Sequence, residues 1–432
     1  MTEADRDTHG VGRGPLRVLF VSLSFPDDPA KVHGVFRRLD LLIAGLAGLG
    51  KLDLLFFVDE TVDVSAEAVE RFRRELAERW SAAFELTLSR RRPAADDPGR
   101  WEAYGVPVFD AFRQPGFGRA TAPAQQRSFE AALDRQPDIV FAHRLAAMAP
   151  VLRTSRRLPP VVFDLDDIEH RALVRAVPQP PVWRGKYLTL LQVPALWWAE
   201  RRAMSAAQRT FVCSGADRDY IRRTMRVGGI TVIPNAVEMR SPAPLPSEST
   251  ALFLGSLVYP PNRNAAVYLM REVWPRVRRR VPEARLIIAG PSPDSVPGSD
   301  TPPAGVEFRG FVKELAPLYA ETRVVCAPIF AGGGTRVKII EAAAFGRPVV
   351  ATTIGAEGLA MEDGSEILLR DDPETFADAV ADLMRDDERA RRIGEAGRAA
   401  VADTYDRDRI IERIREVVES CAETPGSRRG RS

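Results

Sequence analysis

Short apolar runs alternate along the chain with longer segments in which apolar residues recur every three or four positions. The short runs are rich in Val, Ile, Leu and Phe, which is typical of strands buried on both faces of a parallel sheet. The longer segments have the period of amphipathic helices. In the first half of the chain, the short runs predict strands at 16–22, 52–58, 138–143, 160–165, 209–214 and 230–234.

The same alternation starts again in the second half. There the predicted strands are 251–256, 285–290, 306–310, 323–329, 348–352 and 366–370. Two such series predict an α/β chain with two Rossmann-like domains that face each other across a cleft. Ligands of these sheets bind beyond the carboxyl ends of the strands, so the candidate site residues should directly follow strands.

Proline-rich and polar segments divide the chain further. Residues 90–124 lack a clear period and predict a long loop or an insertion. The predicted segments, in chain order, are a disordered amino terminus (1–15), the first Rossmann-like domain (16–240), a proline-rich linker (241–249), the second Rossmann-like domain (250–405), a helix that packs back on the first domain (406–421) and a disordered tail (422–432).

Composition and net charge limit the classes of protein to which this chain can belong. Hydrophobic residues make up 45% and charged residues 28% of the 432, so a large buried core is expected. The formal net charge is only +2, which disfavours a nucleic-acid-binding protein. Three cysteines lie far apart and give no disulfide or metal spacing, which fits a reducing cytoplasm. The start of the chain does not resemble a secretory signal, so we expect a cytoplasmic protein.

The most informative run follows the predicted strand 323–329. Its glycines allow a ligand to approach the backbone, and Thr335 is a predicted helix N-cap. A helix N-terminus flanked by two cations suits a pyrophosphate, and a carboxylate one turn later suits a ribose. The alternative is a flexible turn with solvated charges. The residues of this candidate site are Gly332, Gly333, Gly334, Thr335, Arg336, Lys338 and Glu341.

The stretch GGGTRVKIIEAAAFGRPVVATTIGAEGL (332–359) resembles the donor-site signature of the group-1 retaining glycosyltransferases of family 4, which have the two-domain GT-B fold. Further resemblance, for example in 255–275 and 284–293, follows the family order over most of 205–405. The first half matches only in outline. The resemblance makes the second domain the donor domain and the first domain the acceptor domain.

The resemblance implies transfer of a sugar from a nucleotide-sugar donor to an acceptor hydroxyl, with retention at the anomeric carbon. It implies no metal ion and no cofactor besides the nucleotide sugar as co-substrate. The acceptor is expected to be a glycan, a lipid-linked molecule or a small molecule. The expected setting is bacterial-type synthesis of polysaccharides, glycolipids or other glycoconjugates.

Several donor-side positions match or depart from the family pattern. Gly333 stands where many members have the first of two glutamates, and the chain resembles a subgroup with a GTR-x-K-x-x-E motif. Gly255 and Ser256 match the turn that faces the phosphates. A lysine common after that turn is missing, so we expect Arg336 and Lys338 to bind more of the phosphate. The resemblance also places Val312 near the base and Glu357 near the sugar or pyrophosphate.

Candidate residues on the acceptor side follow strands of the first half. Gly34 lies in the loop after the first strand, where the family has a glycine-rich loop, although an ordinary turn also fits. His143 ends a predicted strand and is either structural or catalytic. The predicted catalytic pair is Asp166 and Asp167, and the remaining carboxylates nearby are Asp164 and Glu169. These carboxylates fit catalysis or acceptor binding, helix capping, or a metal site, and the resemblance favours the absence of metal.

Two other functions also fit the sequence, and one further segment has two interpretations. A sugar-nucleotide epimerase of the same architecture would form a product without an acceptor. A non-catalytic nucleotide-sugar-binding protein would bind the donor and transfer nothing. The segment from Trp183 to Met204 contains Trp197 and Trp198 and fits either core packing or an interfacial helix that contacts the inner face of a membrane.

Overall fold

The computed structural model describes residues 14–26, 34–91, 101–113, 123–183, 185–242, 244–332 and 335–423. Gly333 and Gly334 of the candidate donor site lie outside the described residues. So do most of the two chain ends predicted to be disordered, and parts of the predicted loop 90–124.

A parallel sheet forms the first half, and within the described residues it has seven strands in the order β3-β2-β1-β4-β5-β6-β7. The predicted strands are found, because each is a buried apolar run. Strand β3 was missed because it lies at the sheet edge, where its residues are only partly buried and alternate with polar ones. The strands are β1 (Leu16–Ser22), β2 (Gly50–Val58), β3 (Glu85–Arg90), β4 (Ile139–His143), β5 (Val161–Asp164), β6 (Arg209–Val212) and β7 (Ile230–Val232).

Helices cover both faces of this sheet and enclose one hydrophobic core on each side. The described part of the predicted loop 90–124 contains short helical turns at Trp101–Gly105 and Ala111–Arg113, with a helix between them. The helices of this half are α1 (Gly34–Ala47), α2 (Ala66–Trp80), α3 (Val106–Phe109), α4 (Pro123–Leu133), α5 (Met148–Arg153), α6 (Glu169–Ala176), α7 (Val193–Ala206) and α8 (Gly215–Thr224).

A second parallel sheet has the order β10-β9-β8-β11-β12-β13 in the part of the chain that the structure describes. The strands are β8 (Thr250–Leu254), β9 (Arg285–Ala289), β10 (Val306–Gly310), β11 (Val324–Ala327), β12 (Val349–Ala351) and β13 (Leu368–Leu369). The helices are α9 (Pro260–Tyr268), α10 (Trp274–Arg280), α11 (Leu315–Ala320), α12 (Val337–Ala344), α13 (Pro373–Arg385), α14 (Asp387–Thr404) and α15 (Arg407–Glu423).

The last helix leaves the second half and packs on the first. Ile414 and Val418 of α15 are fully buried in the core that contains β1 and α1. Arg415 donates to the Gly45 carbonyl at 3.3 Å, and Val237 pairs with Asp406 in an isolated parallel bridge. The chain therefore crosses between the two halves twice.

In each sheet, the direction in which successive strands are added reverses between two neighbouring strands. This switch point lies between β1 and β4 in the first sheet and between β8 and β11 in the second. Crevices at such points are the usual ligand sites of doubly wound sheets. The predicted α/β class, with two Rossmann-like domains, is therefore confirmed, and the site is expected where the switch points meet.

Candidate functional site

The turn after β8 brings a glycine against a buried cation. A Cβ atom on Gly255 would lie 2.7 Å from the Lys338 Nζ atom and from the Asn262 Nδ2 atom, so a larger residue would displace these two side chains. Lys338 donates to the Asn262 Oδ1 atom at 2.7 Å, and Asn262 donates to the Ser256 carbonyl at 2.9 Å. Lys338 on α12 thus places its ammonium group at the turn where the family lysine is missing.

Lys338 is held in an unusual environment for an ammonium group. Its Nζ atom lies 4.5 Å from the centre of the Phe253 ring. Burial, together with the neighbouring Arg336 guanidinium, lowers the pKa of Lys338 to about 7. A negatively charged ligand at this position would favour the protonated amine.

A second glycine lies beside the other cation. Gly332 has φ +102°, a conformation that favours glycine, and a Cβ atom there would lie 2.9 Å from the Tyr259 hydroxyl and 3.1 Å from Arg336 Nη2. Arg336 donates to the Ala331 carbonyl at 3.2 Å. Burial lowers the pKa of Arg336. The two cations of the candidate donor site therefore lie next to glycine backbone after β8 and β11.

The predicted N-cap at Thr335 is wrong. Helix α12 begins at Val337, and its N-cap residue is Arg336, without a side-chain capping bond. The Thr335 hydroxyl instead accepts a hydrogen bond from Asn235 at 2.9 Å. Thr335 therefore joins the second half to the segment after β7, and this contact could not be read from local sequence.

Glu341 lies on α12 and is buried. The Tyr319 hydroxyl donates to its Oε2 atom at 3.2 Å, and Arg37 of α1 forms an ion pair with its Oε1 atom. The carboxylate predicted to bind a ribose thus already has two partners, one of them from the first half. Val312 follows β10 and packs partly buried against the core, and Gly34 is the first residue of α1.

Asp164 ends β5 and is fully buried. Arg38 donates to both of its carboxylate oxygens and also to the Ile233 carbonyl at 2.7 Å. An interior carboxylate held by a guanidinium in two places is a structural ion pair. This geometry favours a positioning role for Asp164 over the predicted contact with an acceptor.

His143 ends β4 and is also fully buried. Its Nδ1 atom lies 2.9 Å from the Ser22 hydroxyl, and its ring stacks on Phe20 at 5.9 Å. Burial lowers the pKa of His143 to about 3, so the ring is neutral at physiological pH. This environment favours support of β1 and β4 over the predicted catalytic role.

Two residues after neighbouring strand ends have positive φ angles without being glycine. Arg144 follows β4 with φ +69°, and Asp166 follows β5 with φ +54°. Arg144 lies 3.6 Å from a carboxylate oxygen of Asp166 and 3.6 Å from one of Glu169. Strained backbone of this kind is retained where the surroundings hold it and is common at functional sites.

The carboxylates after β5 have contrasting acidities. Burial, together with the negative charges of Asp166 and Glu169, raises the pKa of Asp167 to about 7. Burial opposes ionisation of Asp166 as well, but Arg144 and Arg38 outweigh it and leave the pKa of Asp166 below its ordinary value. Arg336 of the second half acts electrostatically on Asp167. Asp167 therefore lies within electrostatic reach of the candidate donor site.

Glu357 follows β12 and contacts the first half. Arg171 donates to Glu357 at 3.1 Å and Arg175 at 2.8 Å, and both arginines lie on α6. A pocket between the halves is lined by these three side chains together with Asp167 and Asp217. The predicted donor residue Glu357 thus lies in the cleft, where it joins the two halves.

Sequence reasoning missed Arg37, Arg144, Arg171, Arg175 and Tyr259. Arginines are frequent in this chain, so a single one gives no local signal. Two signals were nevertheless present. Arg144 directly follows a predicted strand end, and Arg171 and Arg175 have the i, i+4 spacing that places both on one helix face.

Two features are absent from the part of the chain that the structure describes. No group of three or more His, Cys, Asp or Glu side chains there is arranged to hold a metal ion. None of the described helices combines the length and the apolarity that are needed to cross a bilayer.

Two protein families match the chain. The family described as Glycosyl transferases group 1 matches residues 248–386, and the family described as Glycosyltransferase Family 4 matches residues 69–240. The two matches do not overlap and fall on the two Rossmann-like halves.

Curated relatives match over part of their length. A phosphatidyl-myo-inositol mannosyltransferase of Mycobacterium leprae is 30% identical over 212 residues, which is 45% of this chain and 54% of that protein. An alpha-maltose-1-phosphate synthase of Mycolicibacterium smegmatis is 26% identical over 256 residues, which is 51% of this chain and 65% of that protein. The matches thus span about half to two thirds of these relatives.

Solved structures share the fold over nearly the whole chain. The sucrose-phosphate synthase from Thermosynechococcus elongatus has a TM-score of 0.67 and 16% identity, over 94% of this chain and 98% of that one. Anabaena HepE, described in complex with UDP-glucose, has a TM-score of 0.64 and 16% identity, over 94% and 100%. With two parallel doubly wound sheets and both family matches, the chain belongs to the group-1 glycosyltransferases and has the GT-B fold.

Proposed function

We propose that this protein transfers a sugar from a nucleotide-sugar donor to the hydroxyl of an acceptor. One observation carries the proposal. The cations Arg336 and Lys338 lie beside glycine backbone at the switch point of the second sheet, and Asp167 from the first sheet lies within electrostatic reach of Arg336. This arrangement pairs an anion site with a carboxylate across a cleft.

The donor side is suited to a leaving diphosphate. Arg336 and Lys338 stabilise the negative charge that develops as the bond between the sugar and the diphosphate breaks. Both cations are already in place, so little reorganisation is required during the reaction. Glu341 accepts hydrogen bonds from the ribose hydroxyls once Arg37 has been displaced.

Asp167 faces this site from the acceptor side and orients the attacking hydroxyl. Its pKa of about 7 allows the carboxylate to accept a hydrogen bond from a hydroxyl near neutral pH. The acceptor oxygen forms the new bond to the anomeric carbon while its proton passes to the Asp167 carboxylate, and the diphosphate takes the electron pair of the broken bond. Asp166, held by Arg144, keeps the backbone of this loop in position.

Finer features of the reaction follow from the family. We propose retention at the anomeric carbon, a reaction without a metal ion, and a role in the synthesis of a polysaccharide, glycolipid or other glycoconjugate. The mannosyltransferase named above and HepE, described with UDP-glucose, make nucleotide-linked mannose and UDP-glucose the first donors to test.

The first experiment is a screen of nucleotide sugars for thermal stabilisation, followed by mass spectrometry of products with and without acceptors. A donor that stabilises the protein and a glycosylated acceptor are expected. A rearranged nucleotide sugar formed without an acceptor would indicate an epimerase instead. Tight donor binding without any product would indicate a binding protein.

Donor affinity is expected to fall as the pH rises above 7. The diphosphate favours protonated Lys338, whose pKa in the free protein is about 7, so binding above that pH requires uptake of a proton. The dissociation constant should rise by at most about tenfold per pH unit between pH 7 and 9. Nucleotide sugars have no phosphate group that titrates near neutrality, so the donor itself does not create this trend.

Calorimetry across this pH range measures the effect. In the Lys338→Met variant the dissociation constant should be larger and nearly independent of pH up to 8. An equally steep dependence in Lys338→Met would assign the trend to another group.

Replacing Arg37 with glutamine is expected to strengthen donor binding by about three- to tenfold. The donor must displace Arg37 from Glu341, and this ion pair is partly buried. The Arg37→Lys variant keeps a cation near Glu341 and is the matched control, with a smaller gain. Weaker binding in Arg37→Gln would show that Arg37 contacts the donor directly.

A further inference from the structure

Large apolar side chains are exposed together on one side of the acceptor domain. Trp198 is 60% exposed, Leu191 59%, Tyr187 59% and Trp183 48%. With Phe109 and Leu188, which are also exposed, they form what we call the apolar patch. Monomeric proteins rarely expose so many large apolar groups in one place without a binding role.

The patch is continuous because its segments pack against one another. Helix α3 contacts α7 and the 3-10 helical turn Lys186–Gln192, and that turn also contacts α7. Trp183 donates to the Tyr104 hydroxyl at 3.2 Å, which fixes the turn on the segment before α3. The other face of α7 packs in the core through Leu196 and Ala203. Helix α7 is thus amphipathic in the structure, with a buried face and an exposed aromatic face.

Cations outnumber unpaired carboxylates around the patch. Residues 170–199 contain no Asp or Glu, and Asp110, which follows Phe109, is paired with Arg153. Arg201 lies 5.6 Å from the centre of the Trp198 ring, and Arg202 beside it is exposed. Exposed Trp and Tyr next to arginines are the side chains that favour the boundary between lipid headgroups and acyl chains.

We propose that the apolar patch docks on the surface of a lipid bilayer that carries anionic headgroups. Two copies of this patch facing each other would bring like charges together, which disfavours a symmetric dimer through it. An anionic bilayer offers both the apolar layer for Trp198 and Leu191 and the negative charge for Arg201 and Arg202.

The apolar patch is connected to the candidate site through helices α6 and α7. Helix α7 carries Glu200, which holds His170 beside Glu169 of the candidate site. Helix α6 presents Arg171 and Arg175 to the cleft and leads in sequence into the patch. Docking would therefore bring the cleft near the membrane surface, where a lipid-linked acceptor enters. Only this last step rests on the proposed transfer function.

The test is flotation of the purified full-length protein with vesicles, without donor or acceptor. Vesicles of phosphatidylcholine with about 30 mol% phosphatidylglycerol should bind the protein more tightly than phosphatidylcholine alone, by about fivefold for each cation engaged. The double variant Leu191→Glu, Trp198→Glu should lose at least about tenfold in binding to the anionic vesicles. Arg201→Gln with Arg202→Gln should remove most of the preference for anionic vesicles.

Matched controls are available elsewhere on the chain. Phe311→Glu changes an exposed aromatic residue outside the patch, and Arg279→Gln removes an exposed arginine on α10, so both should float like the wild type. Donor-induced thermal stabilisation should be retained by the patch variants, which shows that they are folded.

Three outcomes would overturn the proposal. The first is a wild type that binds neither kind of vesicle, and the second is a Leu191→Glu, Trp198→Glu variant that floats as the wild type does. The third is a change from dimer to monomer in sedimentation of that variant, without an effect on vesicle binding, which would assign the patch to self-association. Flotation needs no reaction, so it fails or succeeds independently of the transfer proposal.

Discussion

Replacing Asp167 with asparagine is expected to lower kcat by about 100-fold or more, with the dissociation constant of the donor changed by less than about threefold. Asparagine keeps the shape of the side chain but cannot carry the negative charge that orients the acceptor hydroxyl. Asp167 lies on the acceptor side and affects the donor cations only through space. Initial rates with the donor and acceptor found in the screen, together with calorimetry, separate the two effects.

The pH dependence of the reaction rate provides a second test of the role of Asp167. Asp167 has a pKa of about 7 and acts in its charged form, so kcat/KM of the wild type for the acceptor, measured at saturating donor, should rise with pH through this value. Asp167→Asn should lack this rise. Asp219→Asn is the matched control, because this half-exposed carboxylate is paired with Arg218 and does not line the pocket between the halves. Near-normal turnover in Asp167→Asn would remove Asp167 from the reaction.

Loss of Arg336 or of Glu341 is expected to weaken donor binding strongly. Arg336→Ala removes a charged donor at the proposed diphosphate, and we expect an increase of about 100-fold in the dissociation constant. Glu341→Ala removes the proposed ribose acceptor and should cost about tenfold or more, a smaller effect because Arg37 no longer has to be displaced.

Calorimetry with the best donor measures both changes. Arg279→Ala, at an exposed position on α10, is the control and should bind the donor normally. Unchanged affinity in both Arg336→Ala and Glu341→Ala would mean that the nucleotide sugar binds elsewhere.

The strands could be predicted from sequence because a strand buried on both faces is an uninterrupted apolar run. The run 16–22 coincides with β1, and the run 138–143 contains the fully buried strand β4. Strand β3 at the sheet edge carries half-exposed polar residues and lacks that signal. The α/β class and the doubly wound order thus follow from local patterns, whereas β3 depends on tertiary packing.

The candidate site was predicted unevenly for a related reason. Residues that follow strands, such as Gly255 and Asp167, were found because parallel sheets place strand ends together. Their partners are distant in sequence, as Arg38 is from Asp164 and Arg37 is from Glu341. Burial of His143 and the bond from Asn235 to Thr335 likewise arise only from tertiary structure. Local sequence therefore identifies the site residues at the strand ends, but not the ion pairs and hydrogen bonds that they form with distant residues.

A structure of the protein crystallised with its nucleotide sugar would locate the donor. We expect the diphosphate within hydrogen-bonding distance of Arg336 and Lys338, next to the turn at Gly255, with the ribose at Glu341 and Arg37 moved away. A donor bound at the switch point of the first sheet, or a diphosphate that contacts neither Arg336 nor Lys338, would contradict this expectation.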